Sequence, residues 1–421
     1  MRGTEHRRGD RRRLRPGVLA LEGRRLLTAS LPGVDGSSVV AWNATALEAI
    51  RVDKTAPPAA ARDLAIVQIA VDHAIDGFSA LPRVDRATEA VAAVNAAART
   101  ALDGLFPGQA PTFDALYQQD MAALPAGTAR TQGVVRGTQA ATEFLASRAN
   151  DGSQVTVFYT PGSEPGQWRP TLPGFAPALL PNWPYVTPFV SPVVRQLLPP
   201  PPPSLASAAY AQAVAQVEKL GAANSTTRTA DQTQIANFWS DGAGTSTPPG
   251  HWNEIAANLA TSRHFDLAST AHVFATLDAA LADAGIAAWN AKYTYNCWRP
   301  ITAIREAGTD GNPATVADPS WTPLLATPAF PSYVSGHSAF SAAAATVLSA
   351  YFGPNTAFSA TSDAMPGVVR HFSSFAQAAQ EAGMSRIYGG IHFSFDNLAG
   401  LAIGRTIGRL AVARAFSGGG F

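Results

Sequence analysis

Apolar residues recur at three- and four-residue spacings along most of this 421-residue chain, the mark of helices that bury one face. The pattern predicts helices over about 44–53, 59–80, 84–104, 111–123, 137–147, 205–219, 229–239, 252–261, 268–290, 337–352, 373–384 and 397–416. Strict alternation of apolar and polar positions is nearly absent, and its clearest instance, Gln154–Tyr159, predicts one short strand at most. The fold class read from this is all-α. From Pro161 to Ser204 the periodicity breaks into WRPTLPGF, PNWPYVTPF and the run Pro199–Pro203. Proline lacks a backbone donor and clashes with the preceding turn, so this stretch lies outside helices. It joins an N-terminal helical half (31–160) to a C-terminal helical bundle (205–416). No period of 20–50 residues repeats, which excludes a solenoid.

A hydrophobic share of 46% against 14% charged residues is ample for a large core and excludes disorder for most of the chain. The net charge of +1 conceals an asymmetry: residues 1–25 carry nine arginines against Glu5, Asp10 and Glu22, leaving the remainder slightly acidic. That remainder has no basic footprint for nucleic acid. The Arg-rich head, whose apolar stretch Gly17–Leu21 is too short for a usual secretory core, reads as a basic leader over residues 1–30. Its Leu21, Glu22, Arg24, Leu26 and Leu27 resemble the L-E-x-R-x-L-L core of leaders on exported bacterial proteins, which implies an extracytoplasmic or secreted protein. Cys297 stands alone, so no intrachain disulfide forms. No run reaches the roughly 18–20 consecutive apolar residues of a membrane span. The nearest runs, Ala339–Phe352 and Leu398–Phe416, are broken by Ser, Thr, Gly and Arg, so no transmembrane segment is predicted.

Three segments of the last third hold residue types suited to one oxyanion pocket. Lys292 opens the first, which ends at Arg299-Pro300; it is one of three lysines in an arginine-biased chain and offers a compact point charge that a guanidinium does not. The second, Phe330-Pro-Ser-Tyr-Val-Ser335-Gly336-His337, leads into an apolar helical run. Ser335 stands at the helix N-cap position and Gly336 permits close backbone approach, so N–H groups and the positive helix end would face an anion. The third, Ser385-Arg386-Ile-Tyr-Gly-Gly-Ile-His392-Phe-Ser-Phe-Asp396, supplies a second guanidinium clamp and a histidine six residues later. His73, His251, His264, His272 and His371 show no metal-ligand spacing and read as core or surface residues. No G-x-S-x-G elbow suggests a serine hydrolase.

Taken together, Lys292 and Arg299-Pro300, Ser335-Gly336-His337, then Ser385-Arg386 and His392 resemble the three-part signature of the vanadium-dependent haloperoxidases and the related acid phosphatases. The segments at 42–67, 166–189, 233–256 and 280–293 are similar to the bacterial haloperoxidase-like branch, so the resemblance covers about residues 40–415. It implies an all-α helical-bundle fold with vanadate as cofactor. His392 would bind the metal, or act as the nucleophile of a phosphatase. Lys292, Arg299, Ser335, the Gly336 N–H and Arg386 would hold the anion's oxygens, and His337 would be the acid/base. Asp231 or Asp241 is the expected carboxylate orienting His337. Trp289 and Phe330 match aromatic positions of the halide pocket in chloride-oxidising members, where bromide enzymes commonly carry histidine at the position of Phe330.

Three functions follow from the resemblance. The first is a vanadate-dependent haloperoxidase taking hydrogen peroxide and halide, a reading that one Cys and four Met, few sites for hypohalite damage, also fit. The second is an acid phosphatase that takes a phosphate monoester in the same pocket and needs no cofactor. The third is a catalytically silent exported protein that keeps the pocket for anion binding. The resemblance also allows a homodimer.

Overall fold

The computed structural model describes residues 33–421 apart from 77, 79–82 and 419, so the basic leader lies outside the described residues. Thirteen helices follow one another among them. The first five are α1 (Ser37–Asp53), α2 (Pro57–Ile75), α3 (Arg83–Leu105), α4 (Ala110–Ala122) and α5 (Thr128–Arg148). Next come α6 (Ala208–Gly221), α7 (Ala230–Phe238), α8 (Thr247–Ser262), α9 (Leu267–Tyr295) and α10 (Pro300–Arg305). The last three are α11 (Gly336–Phe352), α12 (Phe375–Tyr388) and α13 (Ser394–Phe416). All twelve predicted helices have a counterpart, so the fold is all-α as the apolar spacing predicts. The short α10 has no counterpart in the periodicity because six residues are too few to show a period.

The predicted strand is a correction. Gln154–Tyr159 is irregular, while a two-stranded antiparallel hairpin forms from Phe358–Thr361 (β1) and Val369–Phe372 (β2). Alternation at 154–159 has no partner strand to hydrogen-bond, and Phe158 is 98% exposed there. In β1 and β2 the pairing of Phe358 with Phe372 decides the register.

Helix starts are set by local chemistry. Asp266 accepts the Ser269 N–H at 2.8 Å ahead of α9, Ser207 and Ser374 cap α6 and α12, and Thr229 and Gln232 form a reciprocal capping box on α7. Prolines occupy the first turns of α2, α8 and α10, where the missing donor costs nothing.

A single apolar core runs from Val39 to Ala411. At its centre, α9 packs against α2, α11 and α13, and its apolar surface is almost wholly buried. By length and composition α9 is the one described helix that could cross a membrane, but 94% of its most apolar window is covered by the protein itself. Apolar run length points to α11 and α13 instead, because Asp278 and Asp283 interrupt the apolar run of α9. Both are buried and hydrogen-bonded: Asn253 donates to one oxygen of Asp278 at 2.6 Å, its other oxygen having no partner among the described residues, and the N–H groups of Phe189 and Val190 donate to Asp283 at 2.7 and 2.9 Å. Burial pushes the Asp283 carboxyl up to about 7. Its two backbone bonds fasten the Pro-rich segment to α9, and Tyr295 and Tyr333 extend that attachment by donating to the carbonyls of Pro199 and Pro200.

The close pairing of α11 with α13 positions the site. A Cβ on Gly404 would stand 2.2 Å from the Ala339 carbonyl, and one on Gly400 2.5 Å from the Ser335 carbonyl. The two backbones therefore touch only because these positions lack side chains. Gly404→Ala is expected to lower stability by about 1–3 kcal/mol, the usual cost of overpacking, seen as a lower thermal midpoint in calorimetry. An unchanged midpoint would mean that the helices can separate freely.

Candidate oxyanion site

The end of the α11–α13 pair, the C-terminal ends of α9 and α12, and the loop before α11 bring the predicted residues together. Ser335 caps α11 as expected, its hydroxyl accepting the Ser338 N–H at 3.3 Å, and its own N–H donates to the Asp396 carbonyl at 3.0 Å. Lys292 lies in the last turn of α9, Arg299 caps α10, and Arg386 lies in the last turn of α12. Gly390, with φ +78, reverses the chain between Arg386 and His392 while lying against the Gly221 backbone, where a Cβ would stand 2.4 Å from the carbonyl oxygen. A side chain there would push the His392 segment outward.

His392 is held from both sides of its ring. Nδ1 lies 2.8 Å from Asp396 Oδ2, and Arg299 Nη1 lies 3.1 Å from Nε2. With Nδ1–H donating to the carboxylate, the Nε2 lone pair faces the guanidinium and is the ring's ligand atom. Asp396 also accepts from Ser332 Oγ and from the Phe393 N–H. Burial holds the Asp396 carboxyl up at about 6 against these bonds. The His392 ring is driven well below the usual histidine range by burial, then by Arg299 and Lys292.

His337 Nε2 has no hydrogen-bond partner among the described residues, and neither has Arg299 Nη2. The backbone of Trp239 and Ser240 lies beside the His337 ring and favours its protonated form, yet burial and the charge of Arg386 hold its proton affinity well below the usual range. Arg299 and Arg386 lie fully inside, and burial brings them down to about 9 and about 10. Lys292 is buried and donates to the carbonyls of Pro331, Ser332 and Val334 at 3.0, 3.0 and 2.5 Å. All three ammonium hydrogens are thus engaged, so Lys292 reaches an anion's oxygen only by exchanging one carbonyl.

Trp289 and Phe330 stand beside this group with ring centroids 4.9 Å apart. The Phe330 ring lies 4.8 Å from Lys292 Nζ and 4.7 Å from the Arg299 guanidinium carbon, so it packs against both cations. A Cβ on Gly336 would come within 3.4 Å of the Trp289 ring, an ordinary contact, so the glycine is not required there for space. Leu179, in the Pro-rich segment, accepts from Trp289 Nε1 and from the Tyr293 hydroxyl, closing that side of the aromatic wall.

The expected carboxylates of His337 are a correction. Asp231 pairs with Arg370 at 2.9 Å on the surface, and Asp241 pairs with His251 at 3.1 Å. Asp241 instead adds a negative charge that favours protonated Arg386, and the polar backbone nearest His337 is that of Trp239 and Ser240. Sequence reasoning also misses Asp396 and Ser332. A signal for Asp396 exists: His392 and Asp396 stand four apart at a helix start, where one turn brings them together. Nothing in the sequence marks Ser332 or the pairing of His251 with Asp241.

Three buried cations and two imidazoles thus meet one carboxylate in contact, Asp396, with unpartnered donors left over. Such a donor set lacks an anion rather than a cation, and guanidinium, imidazole and helix-start N–H groups are the chemistry that binds a tetrahedral oxyanion.

Comparison with known proteins agrees. Residues 272–418 match the family model of the VCPO second helical-bundle domain. The vanadium chloroperoxidase of Curvularia inaequalis is 30% identical over 264 residues, 47% of this chain and 43% of that protein, so the match spans under half of the relative's length. The crystal structure of the first bacterial vanadium-dependent iodoperoxidase superposes with a TM-score of 0.74 at 28% identity, covering 90% of this chain and 96% of that one. A holo-type bacterial vanadium-dependent chloroperoxidase shares the fold, with a TM-score of 0.68 at 18% identity over 86% of this chain and 94% of that one.

Proposed function

Because the chain belongs to the vanadium-dependent haloperoxidase family, with residues 272–418 as that family's second helical bundle, we propose that it oxidises halide with hydrogen peroxide using bound vanadate. The observation that carries this reading is the excess of buried cationic donors around His392 Nε2, which faces the Arg299 guanidinium, with Arg299 Nη2 and His337 Nε2 left without a partner among the described residues. Vanadate in such a site supplies a Lewis-acid centre that activates peroxide toward a halide.

The protein's own part is to bind, orient and move protons. His392 Nε2 would ligate the metal, and Asp396, by accepting a hydrogen bond from Nδ1–H, fixes the tautomer that puts the lone pair on this nitrogen. Arg299, Arg386, Lys292, the Ser335 hydroxyl and the Gly336 N–H would hold oxygens and offset their charge. The groups stand together before an anion arrives, but binding requires Lys292 to exchange one of its three carbonyl partners and Arg299 Nη1 to release His392 Nε2. His337, neutral in the free site and unpartnered at Nε2, would carry the proton that leaves peroxide and returns to water.

Halides differ in how readily they give up electrons, iodide most and chloride least. One relative is an iodoperoxidase and others are chloroperoxidases, so the wall formed by Trp289 and Phe330 is where this chain's own preference would be set. Phe330 packs against both Lys292 and Arg299, and an apolar ring at that position screens their polarising charge less than water would. We expect bromide and iodide to be oxidised readily and chloride measurably. Phe330→His should cut chlorination about tenfold, roughly 1.4 kcal/mol, and bromination less. Paired chlorination and bromination assays with monochlorodimedone check this, and equal losses would remove Phe330 from halide selection.

The test of the reading itself uses one preparation of metal-free protein. Loaded with vanadate, it should halogenate monochlorodimedone, and phosphate should compete with vanadate for the site. Simultaneous, independent binding of the two anions would count against the pocket. A phosphatase would use the same residues, with His392 as nucleophile and His337 protonating the leaving group. Hydrolysis of p-nitrophenyl phosphate without any halide oxidation would sink the peroxidase reading in favour of that one.

A further inference from the structure

Behind the anion-binding cluster lies a second imidazole–carboxylate pair that the proposed chemistry does not use. His251 sits in the first turns of α8, and Asp241 in the loop joining α7 to α8. Their side chains are 2% and 3% exposed, with Nδ1 and Oδ1 3.1 Å apart. His251 Nε2 and Asp241 Oδ2 have no hydrogen-bond partner among the described residues. The Trp239 indole stacks on the His251 ring with centroids 4.5 Å apart and planes at 22°, and Phe238 packs at 5.5 Å.

What this pair grips is the stretch Trp239-Ser240-Asp241. This stretch continues α7, whose Ala236 carbonyl accepts from Arg386 Nη2 at 3.2 Å; Asp241 adds a negative charge that favours protonated Arg386, and the Trp239 and Ser240 backbone lies beside the His337 ring and favours its protonated form. Asp241 itself has φ +42, a left-handed conformation that a side-chain anchor helps to hold. The grip is therefore threefold: an ion-pair contact on Asp241, an aromatic stack on Trp239, and the chain between them. A purely structural filler would not need an imidazole here, since a larger apolar ring could stack on Trp239 equally well. Beyond Asp241, the groups facing His251 are Glu254 and Asp363, both themselves paired with Arg51.

We propose that His251 is a positioning residue of the oxyanion site, acting through Asp241 to hold Arg386 and through the Trp239–Ser240 backbone to hold His337. The inference rests on the reading of the pocket as an oxyanion site. Loss of an outer partner of this kind typically weakens binding at a metal site by about 10–100-fold.

The experiment is a double-mutant cycle on the full chain, with vanadate and inorganic phosphate affinities measured by titration calorimetry and folding followed by thermal midpoint. The variants are His251→Gln, Asp241→Asn and the double. His251→Gln should weaken both anions about tenfold or more, and Asp241→Asn at least as much. The double variant should bind no more weakly than Asp241→Asn alone, because His251 acts through Asp241. His251→Phe, which keeps the stack and drops the donor, should bind anions as weakly as His251→Gln with a midpoint near wild type. Losses that add in the double variant, or anion affinities left at the wild-type value in His251→Gln and His251→Phe, overturn the proposal. Wild type binding neither anion overturns the oxyanion reading on which it stands.

Discussion

His392→Ala is expected to abolish vanadate retention while leaving the fold intact, and Asp396→Asn to weaken it by about 10–100-fold. The first removes the imidazole nitrogen whose lone pair faces the Arg299 guanidinium, at 3.1 Å. The second keeps the shape of the carboxylate but can no longer accept the Nδ1 proton with a charge behind it, at a distance of 2.8 Å in the native pair. Asparagine can donate to Nδ1 instead, which turns the proton onto Nε2 and blocks the ligand atom. The fold should tolerate both changes, since the α11–α13 contact is made by backbone and small side chains. Measuring vanadate retained after gel filtration, with circular dichroism as the folding control, separates the two variants. Equal retention by wild type and Asp396→Asn would mean that the ring is oriented by something other than this carboxylate.

His337→Ala should behave in the opposite way, retaining vanadate but losing turnover by about 10²–10⁴-fold, the usual contribution of a positioned acid/base. The free site keeps this ring neutral at pH 7, because burial and Arg386 hold its proton affinity well below the usual range. An oxyanion placed beside it adds negative charge and raises that affinity. A proton is therefore taken up on binding, and the His337 contribution to affinity is larger at low pH and shrinks as pH rises. Calorimetric titration in buffers of different ionisation enthalpy reads the proton uptake directly. His337→Ala should lose it, whereas an unchanged uptake in that variant would place the proton elsewhere.

Much of the fold and of the site is legible in the amino-acid sequence alone. The spacing of apolar residues defines every long helix because a buried stripe repeats with the turn of the helix, whatever it packs against. Ser335 can be placed at a helix start because capping is decided within a few residues. Lys292, Arg299, Ser335, Gly336, His337, Arg386 and His392 can be named together through resemblance, and the structure brings them into one cluster.

What the tertiary structure alone decides are the relations between distant segments. That α9 is a covered core helix depends on α2, α11 and α13 surrounding it, and no local pattern states which neighbours will do so. The strand expected at Gln154–Tyr159 does not form because a strand exists only with a partner, while Phe358–Thr361 and Val369–Phe372 pair with each other. Asp241 cannot be assigned from sequence to His251 rather than His337, since a carboxylate in a loop reaches whatever the fold sets beside it. Nor can the sequence show that three carbonyls take the Lys292 ammonium, because backbone acceptors carry no residue name. Local order follows from short-range sterics and periodic burial, whereas the electrostatics of the pocket arise from groups distant in the chain, brought together only when the core closes.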